Sequence, residues 1–145
     1  MRATISKVFR FEAAHHLPNH DGKCRNPHGH SYKVVVHCEG PIKMGNDDPQ
    51  RGMVVDFADV KMVWETELAP LFDHKDLNET LDELVPETTA ECLAVFICAV
   101  YREKKFPVKD VEVWETETSN ARVTASEVWV NGEQSNRTRT KATTG

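Results

Sequence analysis

The stretch His28-Gly-His-Ser-Tyr-Lys-Val-Val-Val-His-Cys-Glu-Gly40 decides the fold. It is rich in residues that favour strands, and Tyr32, Val34, Val36 and Cys38 share the parity of His28 and His30. Strand side chains alternate between faces, so both histidines should sit on the core-facing side of one long strand, with Gly29 leaving the other face open between them. Upstream, Ile5, Phe9, Phe11 and Ala13 alternate with polar neighbours, interrupted by Lys7, which predicts a half-buried strand from Arg2 to Ala13. His15 continues that parity and His16 opposes it, so His15 is the third histidine that a neighbouring strand can bring to the pair.

Three imidazoles with an open fourth position describe a catalytic zinc site rather than a cysteine-closed structural one, and neutral imidazole favours zinc over calcium or magnesium. Cys24, four residues before His28, is bracketed by Lys23 and Arg25. Neighbouring cations and a nearby metal favour the reactive thiolate, so Cys24 reads as an acid/base beside the metal or as a fourth ligand. Cys38, Cys92 and Cys98 read as small buried hydrophobes. His20 and His37 read as ordinary surface or strand histidines.

Downstream, Gly45-Asn-Asp-Asp-Pro-Gln-Arg-Gly52 is a loop or hairpin tip, and Met53-Val-Val a brief extension of strand. Asp56 is placed to cap a helix carrying Phe57, Val60, Trp64, Leu68 and Leu71 on one stripe, ending near Pro70. Asp73-His74 sets a carboxylate beside an imidazole in the loop that follows. Thr88 with Glu91 has the form of a capping box for a second helix with Leu93, Phe96, Ile97, Val100 and Tyr101 inward, stopped by Pro107. Val108 to Thr118 and Ala121 to Val130 read as two strands joined at Ser119-Asn120. Glu115 shares the Val111 and Val113 face, where a carboxylate is costly without a partner, and an amidine-like ligand edge could be that partner. The expected class is α+β: ββααββ, a four-stranded antiparallel sheet with two helices on one face.

The chain of 145 residues suits one domain, placed at 1–130, with the polar residues 131–145 expected to be a disordered tail. A formal charge of -5 without a basic patch argues against nucleic-acid binding. No apolar signal or membrane-length run is present, so a cytoplasmic location with reduced thiols is expected and no membrane partner.

Phe11-Glu-Ala-Ala-His15, Cys24-x-x-x-His28-Gly-His30, Val55-Asp-Phe57, Leu71-x-Asp-His74-x-x-Leu-Asn78, Thr88-Thr-Ala-Glu91 and Trp114-Glu-Thr116 occur in this order. Together, over about residues 4 to 130, they resemble the 6-pyruvoyltetrahydropterin synthase family, particularly its bacterial branch of 6-carboxy-5,6,7,8-tetrahydropterin synthases of queuosine biosynthesis. The resemblance implies the tunnelling fold, with sheets of three subunits joined into a barrel and two rings stacked as a homohexamer. It implies zinc on His15, His28 and His30, Cys24 as general base with Asp73 and His74 completing proton transfer, and Glu115, Thr88 and Thr89 as pterin contacts. The implied substrate is 7,8-dihydroneopterin triphosphate, converted to 6-carboxytetrahydropterin with release of acetaldehyde and triphosphate. The three-residue gap between Cys24 and His28 resembles the bacterial branch. A 6-pyruvoyl-forming synthase and a pterin-binding module without turnover are the competing readings.

Overall fold

A computed structural model describes residues 1–128. Two strands of fourteen residues, β1 (Arg2–His15) and β2 (His28–Pro41), run antiparallel along their whole length, from Arg2 opposite Pro41 to His15 opposite His28. β4 (Val108–Trp114) pairs with β2, and β5 (Asn120–Thr124) pairs with β4, both antiparallel. The two-residue strand β3 (Lys75–Asp76) lies parallel to β1 at Ala13 and Ala14, giving the order β3-β1-β2-β4-β5. The sheet therefore has five strands where four are expected from the sequence, because two residues are too few to show periodicity.

The core follows the alternation. Phe9, Phe11 and Ala13 of β1, Tyr32, Val34, Val36 and Cys38 of β2, and Val111 and Val113 of β4 are buried on one face. The helical segment Phe57–Phe72 covers that face with Val60, Val63, Trp64, Leu68 and Phe72, and the Trp64 ring stacks on Phe9 at 4.8 Å. Each such large side chain contributes about 1.5–3 kcal/mol through burial. The segment is not one regular helix. α1 (Phe57–Val63) runs into a π turn (Trp64–Leu68) and then α2 (Ala69–Phe72). Pro70 lacks an N–H and crowds the preceding turn, so the wider turn just before it lets the helix pass this residue rather than end there. The extra residue rotates the stripe beyond it, so that Phe72 is fully buried and Leu71 only partly, while Phe57, at the first position of α1, is exposed, in place of the regular stripe expected.

A short helix, α3 (Leu77–Thr80), follows β3 and is capped by the Asp76 carboxylate, which accepts from the Asn78 N–H at 3.0 Å. The long helix α4 (Ala90–Glu103) is capped by Thr89, whose hydroxyl oxygen accepts from the Cys92 N–H at 3.2 Å. The cap is thus one residue later than the Thr88–Glu91 box predicts, because Thr88 is buried against β1. α4 buries Leu93, Ala94, Ile97, Cys98 and Tyr101, while Cys92 is only partly buried, unlike Cys38 and Cys98. All four thiols are free, and burial pushes those of Cys38 and Cys98 up to about 11.

The hairpin after β4 turns over residues 115–119, closed by the Glu115 N–H donating to the Ser119 carbonyl at 3.1 Å, so the turn precedes the expected Ser119-Asn120. β5 ends at Thr124 in a 3-10 turn (Ala125–Glu127) rather than running on to Val130. Residues 129 and 130 and the expected tail 131–145 lie outside the described residues. The hairpin tip at Gly45–Gly52 is present, with Gly52 at φ 87°, but Met53–Val55 form no strand. Among the described residues no helix is long and apolar enough to cross a membrane.

Candidate metal centre and pterin site

The β1–β2 register puts His15 opposite His28 and Ala13 opposite His30, so three same-face positions converge at one end of the sheet. The ring centroids lie 4.6 Å (His15–His28), 5.1 Å (His15–His30) and 4.9 Å (His28–His30) apart. One ligand nitrogen from each falls within 4.8 Å of the others. The His15 Nδ1–H donates to the Thr88 carbonyl and the His28 Nδ1–H to the Asn26 carbonyl, each at 2.8 Å. Those bonds fix the tautomer and leave the Nε2 lone pairs free, as a metal-binding histidine requires. Nε2 of His15 and Nε2 of His30 are buried with no hydrogen-bond partner. Burial lowers the pKa of both rings, against the charge of Glu115 and, for His15, the Thr88 carbonyl, so both hold the neutral form that coordinates. The donor set, the orphaned nitrogens and the protonation state all fit a zinc ion.

Around this cluster the remaining residues divide. Cys24, in the 3-10 turn Lys23–Arg25, lines a pocket of about 450 Å³ with His28 and His30. His74 lines a second groove, of about 510 Å³, with Glu12, His30 and Asp76. Its Nδ1 lies 2.9 Å from the Asp73 carboxylate, which also accepts from the Glu12 N–H at 3.1 Å. His74 holds a left-handed φ of 58°, unusual for a non-glycine residue, and its own N–H donates to the Glu12 carbonyl at 2.6 Å. Glu115 and Thr89 line a third cavity of about 220 Å³ with Leu17, Ala90 and Asn120. Thr88 faces inward, where its hydroxyl donates to Asn78 Oδ1 at 3.1 Å. The structure thus joins Cys24 to the histidines and Thr89 to Glu115, and sets Asp73-His74 at the β1 edge.

The profile of the 6-pyruvoyl tetrahydropterin synthase family matches residues 4–126 of this chain. The chain belongs to that family. Its 6-carboxy-5,6,7,8-tetrahydropterin synthase relative from Synechocystis sp. is 40% identical over 119 residues, covering 81% of this chain and 90% of the relative. The one from Haemophilus influenzae is 33% identical, covering 79% and 94%. The human 6-pyruvoyl tetrahydrobiopterin synthase is 34% identical over 81% and 88%. The structure of Caenorhabditis elegans 6-pyruvoyl tetrahydropterin synthase superposes with a TM-score of 0.72 at 26% identity, covering 86% of this chain and 96% of that one. This family member is accordingly a pterin synthase, an enzyme with the tunnelling fold.

Three further residues of this synthase carry no sequence-derived assignment. Asn26 supplies the carbonyl that orients His28, and no side-chain pattern signals a backbone contribution. Tyr32 lies beneath the cluster, its ring 5.4 Å from His30 and 6.0 Å from His15, with a buried and unpaired hydroxyl. Asn78 stands in the Leu71-to-Asn78 motif, and its spacing from His74 was the available signal. His37, read as an ordinary strand histidine, lies on β2 with both ring nitrogens bonded, and with Asp110 and Glu112 it forms a second group of potential ligands.

Proposed function

We propose that the protein is a zinc-dependent 6-carboxy-5,6,7,8-tetrahydropterin synthase. It would convert 7,8-dihydroneopterin triphosphate and water to 6-carboxytetrahydropterin, acetaldehyde and triphosphate. The observation that carries the zinc site is the pair of buried, unpartnered Nε2 atoms on His15 and His30 beside a His28 held in the same tautomer. The relatives that bear the 6-carboxy name and the three-residue gap from Cys24 to His28 support the product.

His15, His28 and His30 would hold the ion, which when bound supplies Lewis-acid polarisation of the substrate's side-chain oxygens. Cys24 shares the pocket of His28 and His30, so its thiolate is placed to take a proton from the substrate side chain as general base. Glu115 accepts the two N–H groups of the aminopyrimidinone edge, a bidentate charge-assisted contact that fixes the ring, and Thr89 lines the same cavity. His74, steadied by the Asp73 carboxylate, returns a proton to the product side. Thr88, a pterin contact by the family resemblance, has its hydroxyl engaged by Asn78 and would act on the site through its backbone.

Cys24 and His74 open into different grooves, a division that suits active sites shared between subunits in a homohexamer. We place this enzyme in the cytoplasm, in the route to queuosine, as a single domain over 1–130. The test is mass analysis of the pterin formed from 7,8-dihydroneopterin triphosphate by the zinc-loaded protein, with native mass spectrometry of the assembly. The expected outcome is 6-carboxytetrahydropterin with stoichiometric acetaldehyde. A dominant 6-pyruvoyl product would move the protein to the other branch, and tight pterin binding without turnover would make it a binding module.

A further inference from the structure

His15, the proposed metal ligand, is oriented by the Thr88 carbonyl, and the Asn78 side chain ties the Thr88 loop to β1 and α3. Asn78, the second residue of α3, bonds the backbone of His16 in both directions. The His16 N–H donates to Asn78 Oδ1, and Asn78 Nδ2 donates to the His16 carbonyl, each at 2.9 Å. The same Oδ1 accepts the Thr88 hydroxyl at 3.1 Å, and the Thr88 carbonyl accepts the His15 Nδ1–H at 2.8 Å. A single carboxamide therefore ties together the end of β1, the start of α3 and the loop before α4, which has no strand pairing of its own to hold it against β1.

We propose that Asn78 is the positioning residue for His15, setting the imidazole's direction toward the metal through Thr88. The inference rests on the reading of His15 as a zinc ligand and adds a residue that touches neither zinc nor pterin. Carboxamide chemistry is specific here. Aspartate keeps the acceptor for His16 and Thr88 but faces the His16 carbonyl with a second oxygen instead of a donor. Glutamine carries the right groups one methylene too far, and serine is too short to span both backbone atoms. Without Asn78 the Thr88 hydroxyl keeps only its long contacts to the His16 carbonyl (3.4 Å) and His15 Nδ1 (3.5 Å), so the Thr88 carbonyl is held less firmly in line with His15 Nδ1 and the three nitrogens converge less well. Groups that orient a ligand histidine typically govern metal affinity by about 10–100-fold.

The test is zinc affinity of the purified full chain, by competition with a chromophoric chelator, together with the visible spectrum of the cobalt(II)-substituted protein. Asn78→Ala should weaken zinc binding by about 10–100-fold and alter the cobalt bands, because one ligand's direction has changed. Asn78→Asp should fall in the same range, and Thr88→Val should fall there too, since it removes the hydroxyl bond by which Asn78 holds Thr88. These two variants decide the question if Asn78→Ala does not fold. A purely structural Asn78 would lower the melting temperature and leave both zinc affinity and the cobalt spectrum unchanged, and that result would overturn the proposal. His15→Ala measured alongside separates the two levels: if it keeps parental zinc affinity, the ligand assignment itself fails, whereas failure of the Asn78 variants alone removes only the positioning role.

Discussion

Among the described residues two groups of three potential ligands sit on the same sheet, each with its ligand atoms within 4.8 Å, and they differ in how many of those atoms are already engaged. His15, His28 and His30 face the helices at one end of β1 and β2. His37, Asp110 and Glu112 lie on the opposite, helix-free face. In the second group most ligand atoms are engaged: His37 Nε2 bonds Glu112 and Arg122 donates to Asp110 Oδ2 at 3.0 Å, while Asp110 Oδ1, 3.5 Å from His37 Nε2, is buried without a hydrogen-bond partner. Ser6 meets His37 Nδ1 at 2.6 Å, and Trp114 donates to Glu112 at 3.3 Å. The direct His37–Glu112 bond already engages one ligand nitrogen and one carboxylate oxygen of this group. The first group has three imidazoles, two of them with orphaned Nε2 atoms. Proximity of ligand residues is thus a weak sign, and two orphaned imidazole nitrogens converging in one group, against the single orphaned Asp110 Oδ1 of the other, are a stronger one.

The comparison breaks most plainly on metal content. His28→Ala or His30→Ala should drop zinc from one ion per chain to a small residue and abolish synthesis, while His37→Ala should retain the full ion. Removing one of three protein ligands leaves a poorly coordinated site, and the sheet survives because its core lies elsewhere. Elemental analysis of the three variants decides it: zinc loss from His37→Ala with retention in His28→Ala would exchange the roles of the two groups.

Cys24 sharpens the boundary of the first group. As general base, Cys24→Ala should keep zinc and pterin binding but turn over roughly a hundred- to ten-thousand-fold more slowly. As a fourth ligand it would instead take the ion with it. Single-turnover kinetics and zinc content on one preparation separate the alternatives.

The two groups also differ in how legible they were. The histidine triad could be read from parity alone, since His-Gly-His at strand spacing and a same-parity His15 on the neighbouring strand leave one geometry. The strands, α4 and the helix-covered face follow from the same alternation. What escaped depended on partners distant in sequence. Nothing local says that His37 would meet Asp110 and Glu112 across β2 and β4, or that Thr88 would turn inward and pass the cap to Thr89. The π turn before Pro70 has no signature in the spacing, which with Pro70 in the run reads as a helix end and not as a wider turn that lets the helix continue to Phe72. Two-residue β3 carries no period at all.

Glu115 tests the site at smaller amplitude. Glu115→Gln keeps the shape but removes the charge and one of the two acceptors, so pterin affinity should fall by about 1.5–3 kcal/mol, with zinc content unchanged. Calorimetric titration of the zinc-loaded variant with a non-reactive pterin measures this. Affinity equal to that of the parent would return Glu115 to a structural role at the hairpin after β4.

The smallest effect concerns the second group, and it is one of stability. His37→Leu removes the ring that bonds Glu112 and lies 3.5 Å from Asp110 Oδ1, leaving carboxylate oxygens in a region where the Asp110 side chain is only 7% exposed. An unmet acceptor of this kind should cost about 1–3 kcal/mol in chemical denaturation. Adding Glu112→Leu removes one of the stranded charges and supplies apolar contact against Val8 and Val35, so the double variant should recover much of that loss, as replaced ion pairs often do. Arg122 still neutralises Asp110, which is why recovery does not require changing the third member. A double variant less stable than His37→Leu alone would show that Glu112 has a second partner holding it, with Trp114 the residue to test next.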